Sequence, residues 1–211
     1  MKKWKHIMIY ENLREIVDPD HTALVVWDVQ NALLNRIYNK EEFLNNLHGL
    51  IEAARRNGIP VIYTRVIPPP ACFDSSWRMF IQMKRFGIAD PAKLPPWIQP
   101  GSPGAEIPLP ISPRDNDVII DKYTASLFIG TSAEQLLKNR GVNTLLFCGL
   151  VTEAGVDSSA RESSNRGFYT IVVEDCVSTT DRDLHELALK LMKRNFMLLV
   201  FPSQEIIREW R

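Results

Sequence analysis

The sequence predicts an α/β protein, a three-layer sandwich around a six-stranded parallel sheet, and three observations lead there. Short, continuous apolar runs rich in β-branched residues alternate with longer amphipathic segments along the chain. Runs of that kind suit strands covered on both faces, which is the environment of a parallel sheet. Glycines follow the amphipathic segments at Gly58, Gly141 and Gly167, where helices stop. A length of 211 residues is ample for one core of this size.

The elements follow in order. Ala23–Trp27 (ALVVW) is the first β-prone run, and Pro60–Val66 is the second strand. Between them, Glu41–Asn57 places Phe43, Leu47, Leu50, Ile51 and Ala54 on one helical face, and Gly58 ends it. Asp117–Ile120 is a third strand, Thr131–Arg140 a helix, and Thr144–Cys148 a fourth strand. Glu153–Arg166 is expected to be helical and Tyr169–Val173 a fifth strand. Asp183–Lys193 is a helix, Met197–Phe201 the sixth strand, and Ser203–Trp210 a last helix with Ser203 as its cap. Strands separated by helices call for parallel pairing and crossover connections. Pro68–Pro113 breaks the rhythm, being rich in proline with one amphipathic stretch, Trp77–Phe86. A segment that long and irregular reads as a lid or subunit-contact insertion, at about 68–113, within a single domain spanning 1–211.

Lys and Arg number 25 and Asp and Glu number 25, so a general affinity for nucleic acid or membrane surfaces has no electrostatic basis. The longest apolar runs fall well short of the roughly 20 residues that cross a bilayer. Cys72, Cys148 and Cys176 have no CxxC or metal-ligand spacing. Cys148 and Cys176 sit in apolar runs and read as packed thiols. An odd cysteine count without a leader segment predicts a cytoplasmic protein.

Strand ends select the chemistry. In open α/β sheets, ligands meet the carboxyl ends of the strands. Asp28 closes the first strand, Lys122 follows the third, and Gly155 opens the helix after the fourth, so three distant positions converge on one sheet edge. Taken singly, Asp28 suits a helix cap or a turn and Lys122 a solvated charge. Taken together they form a carboxylate–ammonium pair, ionised or sharing one proton if buried.

The segments ALVVWDVQNALL, IPVIYTR, DVIIDKYTASLFIGTSAEQLLKNRGVNTLLFCGLVTEAGVDSSARESSNRGF and YTIVVEDCVST resemble the isochorismatase-like (cysteine hydrolase) superfamily, which has a Rossmann-like fold. That family uses an Asp–Lys–Cys triad. Asp28 and Lys122 match its Asp and Lys, whereas TEAGVDSSAR has Gly155 where the family has its cysteine. The resemblance therefore points to the subgroup with glycine at that position. It further implies a non-proline cis peptide at Val151–Thr152, with backbone N–H groups there helping to build an oxyanion pocket.

Glycine excludes the covalent acyl-enzyme of the amidase members. Isochorismate hydrolases resemble this chain in having glycine there. Their chemistry implies Asp28 as an acid that protonates a vinyl carbon, water that captures the oxocarbenium ion, and Lys122 holding substrate carboxylates and setting the Asp28 pKa. They carry a glutamine after the second strand in a pattern like YTxQPG, whereas this chain reads YTRVIPPP. Arg65 in that segment is a candidate carboxylate clamp or a surface salt bridge. Trp77, with Phe73, Arg78 and Phe80, is a candidate pocket wall or part of a subunit interface. Tyr123 and Thr124 are placed to touch a ligand or to turn the chain. Glu153 and Asp157 suit a helix N-terminus or could orient water. Cys72 lacks a neighbouring base. The DxH-type cluster of the metal-binding nicotinamidase branch is missing and the four histidines are scattered, so neither metal nor other cofactor is implied. The expected partner is a small-molecule substrate, with a homo-oligomer implied by the resemblance. The alternatives are an amide hydrolase using directly activated water, and a ligand-binding member without catalysis.

Overall fold

The computed structural model describes residues 1–95, 98–194 and 197–210. Six parallel strands form the central sheet: β3 (Thr22–Trp27), β4 (Val61–Val66), β5 (Val118–Lys122), β6 (Thr144–Leu150), β7 (Tyr169–Ser178) and β8 (Leu199–Phe201). Their spatial order is β5-β4-β3-β6-β7-β8. The order reverses direction between β3 and β6, so the crevice of an open α/β sheet lies where Asp28 leaves the first of these strands.

Two apolar layers explain the continuous runs. Leu24 and Val26 of β3 pack with Leu47, Leu50 and Ile51 of α3 (Lys40–Arg56) and with Ile206 of α8 (Ser203–Glu209). Ala23, Val25 and Trp27 face the other way, toward Leu137 of α5 (Ala133–Asn139), Ala160 of α6 (Asp157–Asn165) and Met192 of α7 (Arg182–Arg194). Successive strand residues point to opposite faces, and both faces are covered, so both must be apolar. Each fully buried Leu or Ile contributes roughly 1.5–3 kcal/mol relative to exposure. Cys148 and Cys176 are buried and Cys72 is exposed.

Four local features differ from expectation. A hairpin precedes the sheet, β1 (Lys2–Trp4) with β2 (Ile7–Ile9), followed by the one-turn helix α1 (Leu13–Ile16). Another short helix, α2 (Asn31–Leu34), follows Asp28. The helix expected from Glu153 starts as a π-helical turn, Thr152–Val156, and becomes α-helical only at Asp157. Ser203 does not cap α8 from its own side chain. It is the first helical residue, and Asp175 of β7 receives both its N–H (2.7 Å) and its hydroxyl (2.6 Å). A carboxylate brought in by tertiary contact thus satisfies a helix N-terminus that a local serine was expected to cap.

Within the proline-rich stretch, α4 (Ser76–Phe86) begins with Ser75 accepting the Arg78 N–H at 3.0 Å and ends at Gly87 in the left-handed region. Residues 96 and 97 of that stretch, and residue 211, lie outside the described residues. Among the described residues, no helix is long and apolar enough to cross a membrane.

Candidate active site

Asp28 sits one residue past β3 with φ of +48°, a left-handed conformation that aspartate tolerates better than most residues. Its backbone N–H donates to Thr64 Oγ1 at 3.0 Å, and the Thr64 hydroxyl donates in turn to Asp28 Oδ1 at 2.5 Å. Lys122 Nζ donates to Asp28 Oδ2 at 2.7 Å. The side chains of the pair are 1% (Lys122) and 8% (Asp28) exposed. Nζ also stands 3.7 Å from the centroid of the Trp27 ring, a cation–π contact inside the protein.

Burial governs the protonation of this pair. It pushes the Asp28 carboxyl up, opposed by the Lys122 charge and hydrogen bond and then by Thr64. It pushes Lys122 down, opposed by Asp28. Both shifts favour neutral forms, as expected where charge is removed from water. Asp28 therefore holds a proton at a pH where an exposed aspartate has lost it.

A cavity of about 350 Å³ opens beside Asp28. Trp27, Asp28 and Gly155 form one side of it, and Tyr123 and Val151 also line it. Arg36, just after α2, and Arg78, Gln82 and Arg85 of α4 complete the wall. The spacing of the last three, i, i+4 and i+7, puts them on one helical face. Arg78 is anchored by Asp74, its Nε donating at 2.7 Å.

Not every expected residue reaches the cavity. Lys122 reaches Asp28 and Trp27 and does not line the cavity, so it partners the acid and is not placed to clamp a ligand. Arg65 pairs bidentately with Asp121, at 2.7 and 2.8 Å, away from the cavity. The cause is strand alternation: Thr64 and Lys122 point to Asp28, so their neighbours Arg65 and Asp121, which are register partners, point away. Trp77 is 68% exposed and stacks on Phe80 outside the cavity. Thr152 is buried, with Oγ1 2.9 Å from His185 Nδ1. Glu153 lines the cavity, whereas Asp157 pairs with Arg161. The cis peptide is Leu150–Val151, one residue earlier than expected, at the end of a strand that itself runs on to Leu150.

The isochorismatase domain pattern matches residues 22–200. The chain is 30% identical over 170 residues to the isochorismatase family protein YecD of Escherichia coli O157:H7, covering 78% of this chain and 83% of that one. It is 31% identical over 143 residues to maleamate amidohydrolase of Pseudomonas putida, covering 67% and 62%. The fold superposes on a cysteine hydrolase from Pseudomonas syringae pv. phaseolicola with a TM-score of 0.79, at 22% identity, covering 92% and 94%. This chain belongs to the isochorismatase family.

In this isochorismatase-family hydrolase, several polar residues that shape the site escaped the sequence reading. Thr64 is one. Gln30, fully buried, is another: its Nε2 donates to the carbonyls of Val66 (3.3 Å) and Ala105 (3.0 Å), while Oε1 accepts the Val66 N–H at 2.8 Å. That amide ties the exits of β3 and β4 to the proline-rich segment. Arg36, Gln82 and Arg85 were missed as well. For the α4 residues a signal existed, the i, i+4, i+7 spacing on the face not occupied by Trp77 and Phe80.

Proposed function

We propose that this isochorismatase-family hydrolase cleaves a vinyl ether bearing carboxylates, such as isochorismate, by acid catalysis at Asp28 without a covalent intermediate. One observation carries the reading: a carboxyl whose proton is favoured by burial lines the same cavity as Gly155, a residue with no side chain to act as nucleophile. Asp28 gives its proton to the terminal vinyl carbon, leaving an oxocarbenium ion. Water adds to the ether-bearing carbon of that ion, and the hemiketal collapses into a keto acid and the ring alcohol, returning a proton to Asp28. Lys122 holds Asp28 in place and offsets its charge once the proton has left. Arg36, Arg78 and Arg85 supply positive charge for substrate carboxylates. The glycine in place of the family's cysteine belongs to this reading, as do Tyr123 and Val151 as substrate contacts.

Relatives named maleamate amidohydrolase and ureidoacrylate amidohydrolase favour a second reading, attack of activated water on the amide of a small unsaturated acid. Both are tested together. Wild type and Asp28→Asn are incubated with isochorismate and with a panel of such amides, and products are followed by chromatography. Turnover of isochorismate by the wild type alone supports the first reading. Amide turnover alone replaces it with the second, and equal turnover by both proteins removes Asp28 from the chemistry.

A further inference from the structure

Trp27 ends β3 and is only 1% exposed, yet its ring borders the cavity. A Cβ built on Gly155 would lie 2.1 Å from the indole Nε1, 2.6 Å from Cε2 and 3.0 Å from Cζ2. Non-bonded atoms settle at about 3.5–4.0 Å, so the indole and any side chain at position 155 exclude each other. The ring has little room to withdraw. Lys122 Nζ is 3.7 Å from its centroid, and Val25, Phe147 and Val156 belong to the same apolar cluster. Behind it, a Cβ on Gly149 would come within 2.1 Å of the Trp27 carbonyl oxygen, so the backbone is pinned as well.

We propose that Trp27 stands in the nucleophile's place, as a positioning and specificity residue. Its indole edge fills the volume over Gly155, its face carries the Lys122 ammonium beside Asp28, and the two residues form one exclusive pair that commits the site to proton transfer. A cysteine at 155 requires a small residue at 27, and the indole requires glycine. The inference deepens the reading of the site given above, and its catalytic half rests on that reading; the steric pairing does not.

The test needs no substrate. Gly155→Cys, Trp27→Val and the double variant are made in a Cys72→Ser background, which removes the exposed thiol. Thermal unfolding is recorded, and iodoacetamide labelling of the introduced thiol is followed by peptide mass spectrometry across pH. We expect Gly155→Cys alone to lower Tm by at least about 5 °C, and Trp27→Val to restore most of that loss. In the double variant the introduced thiol faces Lys122 and reacts about tenfold faster near neutral pH than an ordinary cysteine. Gly155→Ala, which adds only a Cβ, carries the same expectation for Tm if the thiol variants do not accumulate. A Gly155→Cys protein as stable as its parent, additive effects of the two substitutions, or an ordinary labelling profile in the double variant would each overturn the proposal. Absence of vinyl-ether turnover would defeat the proposed function and leave these measurements unaffected.

Discussion

Thr64 and Asp28 are tied to each other twice, through a backbone N–H accepted by the hydroxyl oxygen at 3.0 Å and a hydroxyl proton given to Oδ1 at 2.5 Å. One threonine thereby fixes both the left-handed backbone of Asp28 and the orientation of its carboxyl. Thr64→Val keeps the shape and removes both bonds. It leaves a buried N–H without its acceptor, so we expect a loss of about 1–3 kcal/mol in denaturant unfolding. The Thr64 bond also pulls the Asp28 pKa down. Its loss lets that pKa rise further, and under the proposed function the alkaline limb of kcat/KM on isochorismate should move to higher pH. A limb that stays in place would show that Asp28 is not the group being read.

Lys122→Met removes the only cation paired with Asp28 among the described ion pairs. The buried carboxyl then neutralises itself by keeping its proton. Its folded-state pKa lies above the ordinary aspartate value and rises further without the lysine. Such a group contributes stability fully present below the unfolded value, about 3.9, and lost as pH rises through the folded one. The variant should therefore approach wild-type stability in acid and fall behind it by up to roughly 3–5 kcal/mol at alkaline pH. Urea unfolding of both proteins at several pH values checks this, and a difference independent of pH would contradict it.

His185, on α7, is buried, and its Nδ1 pairs with Thr152 Oγ1 at 2.9 Å. Burial pulls its pKa down, against Glu153 and Glu186, which favour the charged ring, and with Arg182, which does not. The folded state thus prefers the neutral imidazole. Its contribution is fully present above the unfolded value of about 6.5 and is lost as pH falls through the lowered folded value. Thermal unfolding between mildly alkaline and mildly acidic pH should show a decline on the acid side. His185→Gln should flatten that decline. An equally steep decline in the variant would place its origin elsewhere.

Legibility followed burial. Strands β3, β4 and β6 were readable because both faces of each are covered, which forces an unbroken apolar run. The face of α3 was readable because Phe43, Leu47, Leu50 and Ile51 repeat at helical spacing. Asp28, Lys122 and Gly155 were singled out because each stands at a strand end or beyond one, where topology brings distant residues to one edge. Thr64 and Gln30 left no such mark. A threonine inside a strand and a glutamine after one are common, and their roles come from partners 36 and 36–75 residues away. Arg65 misled only as a clamp: its other reading, a surface salt bridge, is what strand alternation produced by turning it toward Asp121. Ser203 misled in the same way: a serine before a helix suggested a local cap, and a carboxylate from β7 took that role.

By itself, then, the order of residues determined the layered architecture, the residues that gather at the sheet's carboxyl edge, and the absence of a side chain at position 155. Those properties follow from hydrophobic periodicity and from chain connectivity, both of which are local or topological. Only the tertiary structure decided that the space left at Gly155 is filled by the Trp27 indole, that Lys122 serves Asp28 instead of lining the cavity, and that one face of α4 brings arginines to the cavity wall. The physical reason is distance. Steric exclusion and short hydrogen bonds act over a few ångströms, between atoms whose closeness no spacing along the chain encodes.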